Sequence, residues 1–217
     1  MKTIGILGGM GPQATAELYL RIIRIFQQDY GAKYDDDFPE MIILNLPIPD
    51  VVERPSQEIK VKQMLVEGAK KLEIAGGDFI VIPCNTVTKY LRQMKESVSI
   101  PIISIVEETI RQTASLRDVG ILATELTIKS NLYPGMIYPE KNVQECTTKI
   151  IMNILAGRFL EEDRKFLLSE IERLQQKGAE KVILGCTELP LLVRMNDNAL
   201  DTINILAEAT VKRAIDI

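Results

Sequence analysis

Short runs of Ile and Val alternate along this chain with longer segments in which apolar residues recur every three or four positions. Runs of the first kind are typical of buried parallel strands, and segments of the second kind are typical of helices that cover a sheet. The pattern therefore predicts an α/β protein. Strands are expected at residues 3–7, 41–44, 79–83, 102–105, 119–123 and 181–184, and the clearest helices at 13–28, 56–74, 87–97, 161–177 and 201–215.

Two parts of the chain resemble each other. Residues 75–86 read AGGDFIVIPCNT and residues 177–188 read KGAEKVILGCTE, so each has a helix-ending glycine, an apolar strand, and a cysteine followed by polar residues. TIGILGG from Thr3 and DVGILAT from Asp118 form a second matching pair. We expect two pseudo-symmetric domains, each a parallel sheet flanked by helices, with the active site in the cleft between them. The N-terminal domain would cover 1–107 and be joined by the last helix, 201–217, and the C-terminal domain would cover 108–200.

The charge balance points to a small-molecule ligand. The formal net charge is −4, so the chain has no basic footprint for nucleic acid or an anionic membrane surface. No apolar run reaches the roughly 18 residues of a membrane span, and Met1-Lys2 leads directly into a strand without a signal-peptide pattern. A cytoplasmic protein is expected. Its three widely spaced cysteines do not form a disulfide framework and should be reduced thiols.

The chain contains no histidine. Ser-His-Asp triads, Cys-His dyads and most zinc or non-haem iron sites require an imidazole, so none of these is expected and no metal site is predicted. Proton transfer in this protein has to use Cys, Asp, Glu, Lys or Tyr side chains.

Cys84 and Cys186 each follow a predicted strand, at the edge of a parallel sheet where ligands bind. Thr86 and Thr187 are plausible N-caps of the next helices. A helix N-terminus lowers the pKa of a nearby thiol and binds carboxylates, so the matched cysteines are candidate reactive groups. Cys146 lacks this context, and we expect it to be packed or exposed without a chemical role.

A glycine-rich loop follows the first predicted strand. Residues 9–14 read GMGPQA, a formal match to the G-x-G-x-x-A dinucleotide fingerprint. Pro12 stiffens this turn, and Asn45 stands where an acidic residue should end the second strand, so a loop that approaches a small anion is favoured over a nucleotide site. The equivalent loop of the second half offers the hydroxyl groups of Thr124 and Thr127.

Three motifs together resemble the aspartate/glutamate racemase family, in particular its aspartate racemase branch. They are GGMGPQAT at 8–15, PCNT at 83–86 and GCTE at 185–188, in the family's order and spacing. The resemblance implies a cofactor-independent amino-acid racemase of two pseudo-symmetric α/β domains, usually a homodimer. Its expected substrate is a free amino acid or dicarboxylate, with aspartate as the first choice.

The resemblance also implies roles for individual residues. One thiolate would remove the α-proton of the substrate while the other thiol donates a proton to the opposite face. Cys84 and Cys186 would be these two acid–bases, and Glu188 would orient or poise Cys186. The remaining implied site residues are those that hold the α-carboxylate and ammonium, Asn85, Thr86 and Thr187, and those that line the pocket, Met10, Thr124 and Thr127.

Departures from the family pattern leave alternatives open. Aspartate-selective relatives carry an Arg where Val51 stands and a Lys in the stretch equivalent to 153–160, which has none here; Arg54, Arg158 or Lys165 could substitute. A racemase of glutamate or another amino acid, or a maleate-isomerase-like enzyme on the same fold, is therefore an alternative. From other classes, we keep a non-catalytic module that binds a small carboxylate and a dinucleotide-dependent oxidoreductase.

Overall fold

Two parallel sheets form the framework of the protein. The computed structural model describes residues 1–49, 57–193 and 197–215. The first sheet has the strand order β2-β1-β3-β4, and the second has the order β5-β6-β7. The strands are β1 (Ile4–Gly8), β2 (Met41–Asn45), β3 (Phe79–Ile82), β4 (Ile102–Ser104), β5 (Val119–Leu122), β6 (Lys181–Leu184) and β7 (Ala199–Asp201).

Helices connect the parallel strands. In the described ranges they are α1 (Pro12–Asp29), α2 (Glu58–Ile74), α3 (Leu91–Lys95), α4 (Ile105–Thr113), α5 (Glu125–Lys129), α6 (Lys141–Leu155), α7 (Glu161–Gln176), α8 (Leu189–Leu192) and α9 (Thr202–Ala214). None of these helices has the length and apolarity needed to cross a membrane.

The α/β class and the six expected strands are confirmed. Every residue of β1, β3 and β5 is buried, which explains their unbroken apolar runs. Gly76 and Gly178 follow α2 and α7 with φ of 98° and 106°, so both helices end at a glycine in the left-handed region as expected.

Several elements differ from the sequence expectation. The helix expected at 87–97 is a 3-10 turn, Thr86–Tyr90, followed by α3. α4, α6 and β7 were not expected as separate elements, and the expected loop with Thr124 and Thr127 is the start of α5. β7 is only three residues long and runs directly into α9, so its apolar signal merged with that of the helix.

The two sheets repeat one local design. β1-β3-β4 corresponds to β5-β6-β7, and in each case the third strand enters a helix without a loop. The Ser104 hydroxyl caps α4 by accepting the backbone N–H of Glu107, and the Asp201 carboxylate caps α9 by accepting those of Ile203 and Asn204. The sequence repeat therefore has a structural counterpart.

One hydrophobic core joins the two sheets. A single buried cluster includes Ile6 and Val81 of the first sheet together with Ile121 and Ile183 of the second. α9 lies at this junction, packed against α1 and α4. The expected boundary between 107 and 108 falls inside α4, and the division into 1–107 with 201–217 and 108–200 stays a prediction.

Asp201 provides a test of how α9 is anchored. Its carboxylate caps α9 and also lies 2.5 Å from Nη1 of the half-buried Arg21 on α1. We predict that Asp201→Ala lowers the free energy of unfolding by about 1 to 2 kcal/mol, measured by urea denaturation. Asp201→Asn retains the capping oxygen and should recover most of this loss. An Asp201→Ala protein within about 0.5 kcal/mol of the wild type would contradict the assignment.

Candidate active site

Both matched cysteines lie at the carboxyl ends of central strands. Cys84 follows β3 and Cys186 follows β6, and each strand pairs with a neighbour on both sides. The two thiols are buried, with exposed fractions of 8% and 7%, and both line one cavity of about 290 Å³. A negative charge on Cys84 raises the pKa of the Cys186 thiol, which shows that the two groups are close enough to interact. The structure therefore brings the two sulfur atoms to one site.

The cavity is small and mixed in character. Ligand pockets generally start at about 300 Å³, so this one suits a single small molecule rather than a dinucleotide. Its polar lining comes from Asn85, Thr86, Thr124, Thr187 and Glu188, and its apolar lining from Met10, Pro12, Ile48, Pro49, Val87, Ile151, Met152 and Leu155; the backbones of Gly9 and Gly11 complete it.

The glycine-rich loop forms one wall of the cavity, and its conformation requires glycine at position 9. The φ of Gly9 is 97°, and a Cβ there would lie 2.5 Å from the Leu46 carbonyl oxygen. The Thr15 hydroxyl accepts the N–H of Gly9 and donates to the Gly11 carbonyl, which fixes the loop at the start of α1. The N-terminus of this 18-residue helix, with its positive dipole end, is thereby held at the cavity.

Glu188 is hydrogen-bonded to the Cys186 thiol and changes its pKa. The Cys186 thiol donates to Glu188 Oε2 at 3.0 Å, and the Thr187 hydroxyl donates to the same oxygen at 3.2 Å. Burial raises the pKa of the Cys186 thiol well above its ordinary value, and the carboxylate of Glu188 raises it further. Burial also raises the pKa of the Glu188 carboxyl, while the hydrogen bond from Cys186 opposes that rise.

The second oxygen of Glu188 reaches the other half of the molecule. Glu188 Oε1 lies 3.1 Å from where a Cβ on Gly11 would stand, and contact with the Gly11 backbone opposes the rise that burial causes in the pKa of the Glu188 carboxyl. Gly11 is the N-cap of α1, so this carboxylate faces the positive end of that helix. A side chain at position 11 would displace it.

Asn85 is fixed by two residues that sequence reasoning missed. Its Oδ1 accepts the Tyr133 hydroxyl at 2.5 Å, and its Nδ2 donates to the Thr202 hydroxyl at 3.3 Å. Thr202 in turn donates to the Leu184 carbonyl at the end of β6. Among the described residues, one N–H of the Asn85 amide is left for a ligand. No motif marked Tyr133 or Thr202, because their contact with Asn85 arises only from the fold.

Three threonine hydroxyls join the two halves beside Cys84. Thr86 lies 2.9 Å from Thr127 and 3.4 Å from Thr124, and Thr124 donates to Thr127 at 3.0 Å. Thr124 lines the cavity and also caps α5, whereas Thr127 lies behind Thr86 and Thr124 and does not line the cavity. Thr127 therefore contacts the site through its neighbours rather than directly.

Some expectations about the cysteine loops are wrong. Asn85 and Glu188, not Thr86 and Thr187, occupy the N-cap positions, and neither makes a capping hydrogen bond with its side chain. The pKa of Cys186 is raised rather than lowered, because burial and Glu188 outweigh the effect of the four-residue helix α8. Cys146 was expected to be either packed or exposed, and it is exposed on α6.

Two of the cationic residues considered for a substrate carboxylate, Arg158 and Lys165, lie away from the cavity. Val51 and Arg54 lie outside the described residues. Arg158 and Lys165 are exposed and do not line the cavity. Among the described residues that line the cavity, the ionisable side chains are the two thiols and the carboxyl of Glu188.

Comparisons with known proteins assign the family. A model of the Asp/Glu/Hydantoin racemase family matches residues 7–211. The broad specificity amino-acid racemase RacX of Bacillus subtilis is 31% identical, with 96% of each chain covered. The crystal structure of an aspartate racemase homologue from Pyrococcus horikoshii is 28% identical, with a TM-score of 0.82 over 99% of this chain and 100% of that one.

A solved structure of the Picrophilus torridus aspartate racemase has the same fold, with a TM-score of 0.82 at 23% identity over 99% of this chain and 94% of that one. The match of a family model to nearly the whole chain agrees with the three motifs and with the paired sheets. The chain belongs to the Asp/Glu/hydantoin racemase family and is an amino-acid racemase by family.

Proposed function

We propose that this protein interconverts the L and D enantiomers of a free amino acid by proton transfer between Cys84 and Cys186, without a cofactor. The observation that carries the proposal is the position of both thiols on the lining of one small cavity, each at the end of a central strand of a different sheet. A racemase that uses two bases needs such groups on opposite faces of the α-carbon.

The polar lining supports binding of the amino-acid backbone. Among the described residues, the Thr86 hydroxyl and one N–H of Asn85 can donate to a ligand near the thiols. The Thr124 and Thr187 hydroxyls donate to Thr127 and Glu188, so their oxygens can accept from a substrate ammonium. The N-terminus of α1 favours negative charge. Because the α-proton beside a carboxylate is weakly acidic, fixed dipoles in a cavity that excludes water are the means of stabilising the carbanion.

The Cys186–Glu188 pair supplies the second acid–base. With its pKa raised, Cys186 starts as a thiol that can protonate the carbanion while a Cys84 thiolate takes the proton from the other face. A thiolate at Cys84 opposes ionisation of Cys186, which favours one charged and one neutral sulfur. One turnover places the α-proton of the substrate on Cys84 and takes the proton of Cys186, so the two sulfur atoms are then charged in the way that the opposite enantiomer needs. The 3.0 Å contact couples the ionisation of Cys186 to that of Glu188, so the pair titrates as a unit.

The substrate expected from the sequence is aspartate, and the similarity to an aspartate racemase homologue from Pyrococcus horikoshii supports it. The broad specificity named for the Bacillus subtilis relative supports a wider range of amino acids, and the apolar side chains of the described lining favour a neutral one. The expected homodimer and cytoplasmic location stay predictions.

Replacement of either cysteine tests the two-base proposal. We predict that Cys84→Ser and Cys186→Ser each lower racemisation by about 100-fold or more, since a serine hydroxyl is a much weaker acid than a thiol. The measurement is chiral chromatography of a panel of amino acids incubated with each protein. The exposed Cys146 gives the matched control, and Cys146→Ser should retain wild-type activity.

Full activity in either of the first two variants would contradict the proposal. A stable covalent adduct between substrate and one cysteine, detected by intact mass, would instead favour the maleate-isomerase-like alternative. Binding of an amino acid with no turnover in the wild type would favour the non-catalytic module.

Glu188→Gln tests the control of the Cys186 proton. Removing the carboxylate charge should lower the pKa of Cys186 and move the midpoint of its alkylation rate to lower pH. The rate of iodoacetamide reaction is followed against pH in a Cys84→Ser/Cys146→Ser background. Glu145→Gln, on the exposed face of α6, removes the same charge far from the thiol and should leave the midpoint in place. An unchanged midpoint in Glu188→Gln would refute this role.

A further inference from the structure

Apolar side chains from both halves of the molecule form one part of the cavity wall. Met10, Ile48 and Pro49 come from loops that follow β1 and β2, and Ile151, Met152 and Leu155 come from α6. Met10 and Ile48 pack on the hydrophobic cluster of the first half, and Leu155 packs on that of the second. Each apolar patch is thus supported by buried neighbours and presents a fixed surface to a ligand.

The charge in the cavity is negative. Glu188 is 3% exposed, and no Lys or Arg contributes to the described lining. An amino-acid substrate already brings its α-carboxylate, which the α1 N-terminus and the Thr86 hydroxyl can hold. A second carboxylate on the substrate side chain would be buried beside Glu188 and a thiolate, and no cationic side chain of the described residues lines the cavity to pair with it, which disfavours binding.

Burial of an apolar substrate side chain in the cavity is favourable. Such a side chain would exchange water for contact with Ile48, Met152 and Leu155. The volume of about 290 Å³ limits it to a compact residue.

We propose that the site prefers amino acids with uncharged aliphatic side chains of the size of leucine or methionine over aspartate and glutamate. This inference rests on the proposed racemase function.

Competition between substrates of similar shape tests the preference. Leucine is compared with aspartate, and methionine with glutamate, because each pair is similar in length and differs mainly in charge. We predict that kcat/KM for racemisation is at least about tenfold higher for the aliphatic member of each pair. These ratios come from one wild-type preparation, so they do not depend on the folding of a variant. Aspartate or glutamate equal to or better than its aliphatic partner would overturn the proposal.

A cation placed in the lining should reverse the preference. Met152→Lys puts an ammonium group on the cavity-facing side of α6, where it can pair with a substrate side-chain carboxylate. The ratio of aspartate to leucine turnover should rise by about tenfold or more relative to the wild type. Met152→Leu is the matched control and should keep the wild-type ratio. An unchanged ratio in Met152→Lys would contradict the placement of the side chain.

Ligand protection separates this inference from the proposed reaction. Alkylation of Cys84 and Cys186 in the wild-type protein is measured by mass spectrometry with leucine or aspartate present. Leucine should protect both thiols at lower concentration than aspartate, whether or not turnover occurs. Protection by leucine without racemisation would overturn the proposed function and retain the side-chain preference, whereas stronger protection by aspartate would overturn the preference alone.

Discussion

The shared hydrophobic core between the two sheets is the constraint on which the site depends. Ile6 and Val81 on one side and Ile121 and Ile183 on the other belong to a single buried cluster, and α9 packs across it against α1 and α4. Interiors of this density resist sliding, so the ends of β3 and β6 are held at a fixed separation. The separation of the two thiols is fixed in the same way, because Cys84 and Cys186 lie just beyond the ends of these strands.

Polar contacts above this core set the chemistry of the cavity. The Thr86, Thr124 and Thr127 hydroxyls and the Tyr133 contact with Asn85 cross between the halves, so a substrate backbone would meet groups that are already oriented. Glu188 belongs to the second half but lies against Gly11 in the first. The Glu188 carboxylate therefore contacts both the Cys186 thiol and the start of α1, so it is a further polar contact between the two halves.

Much of this arrangement could be predicted from the sequence, for physical reasons. β1, β3 and β5 appear as unbroken apolar runs because every one of their residues is buried, and the repeat appears because both sheets use one local design. The signal of α6 was also present: Val143, Thr147, Ile150 and Ile154 are buried at helical spacing, but the two polar threonines and Cys146 obscured it. Ser104 and Glu107 likewise form an S-x-x-E start signal for α4.

Other features could not be predicted in this way. Tyr133 and Thr202 act on Asn85 across 48 and 117 residues of chain, and no local pattern encodes such contacts. The raised pKa of Cys186 is opposite to the lowering expected from a helix terminus, because burial and the adjacent carboxylate of Glu188 have the larger effect. In a dry site these two effects dominate a short helix, and the sequence GCTE by itself does not reveal how deeply it is buried.

The most direct test of the account is the isotope content of substrate and product at low conversion in D2O, starting from one pure enantiomer. Two separate acid–bases on opposite faces of the α-carbon predict product that carries solvent deuterium at Cα and recovered substrate that still carries protium. Product that retains the original α-proton would show that a single group moves it from one face to the other, and this result would contradict the central claim.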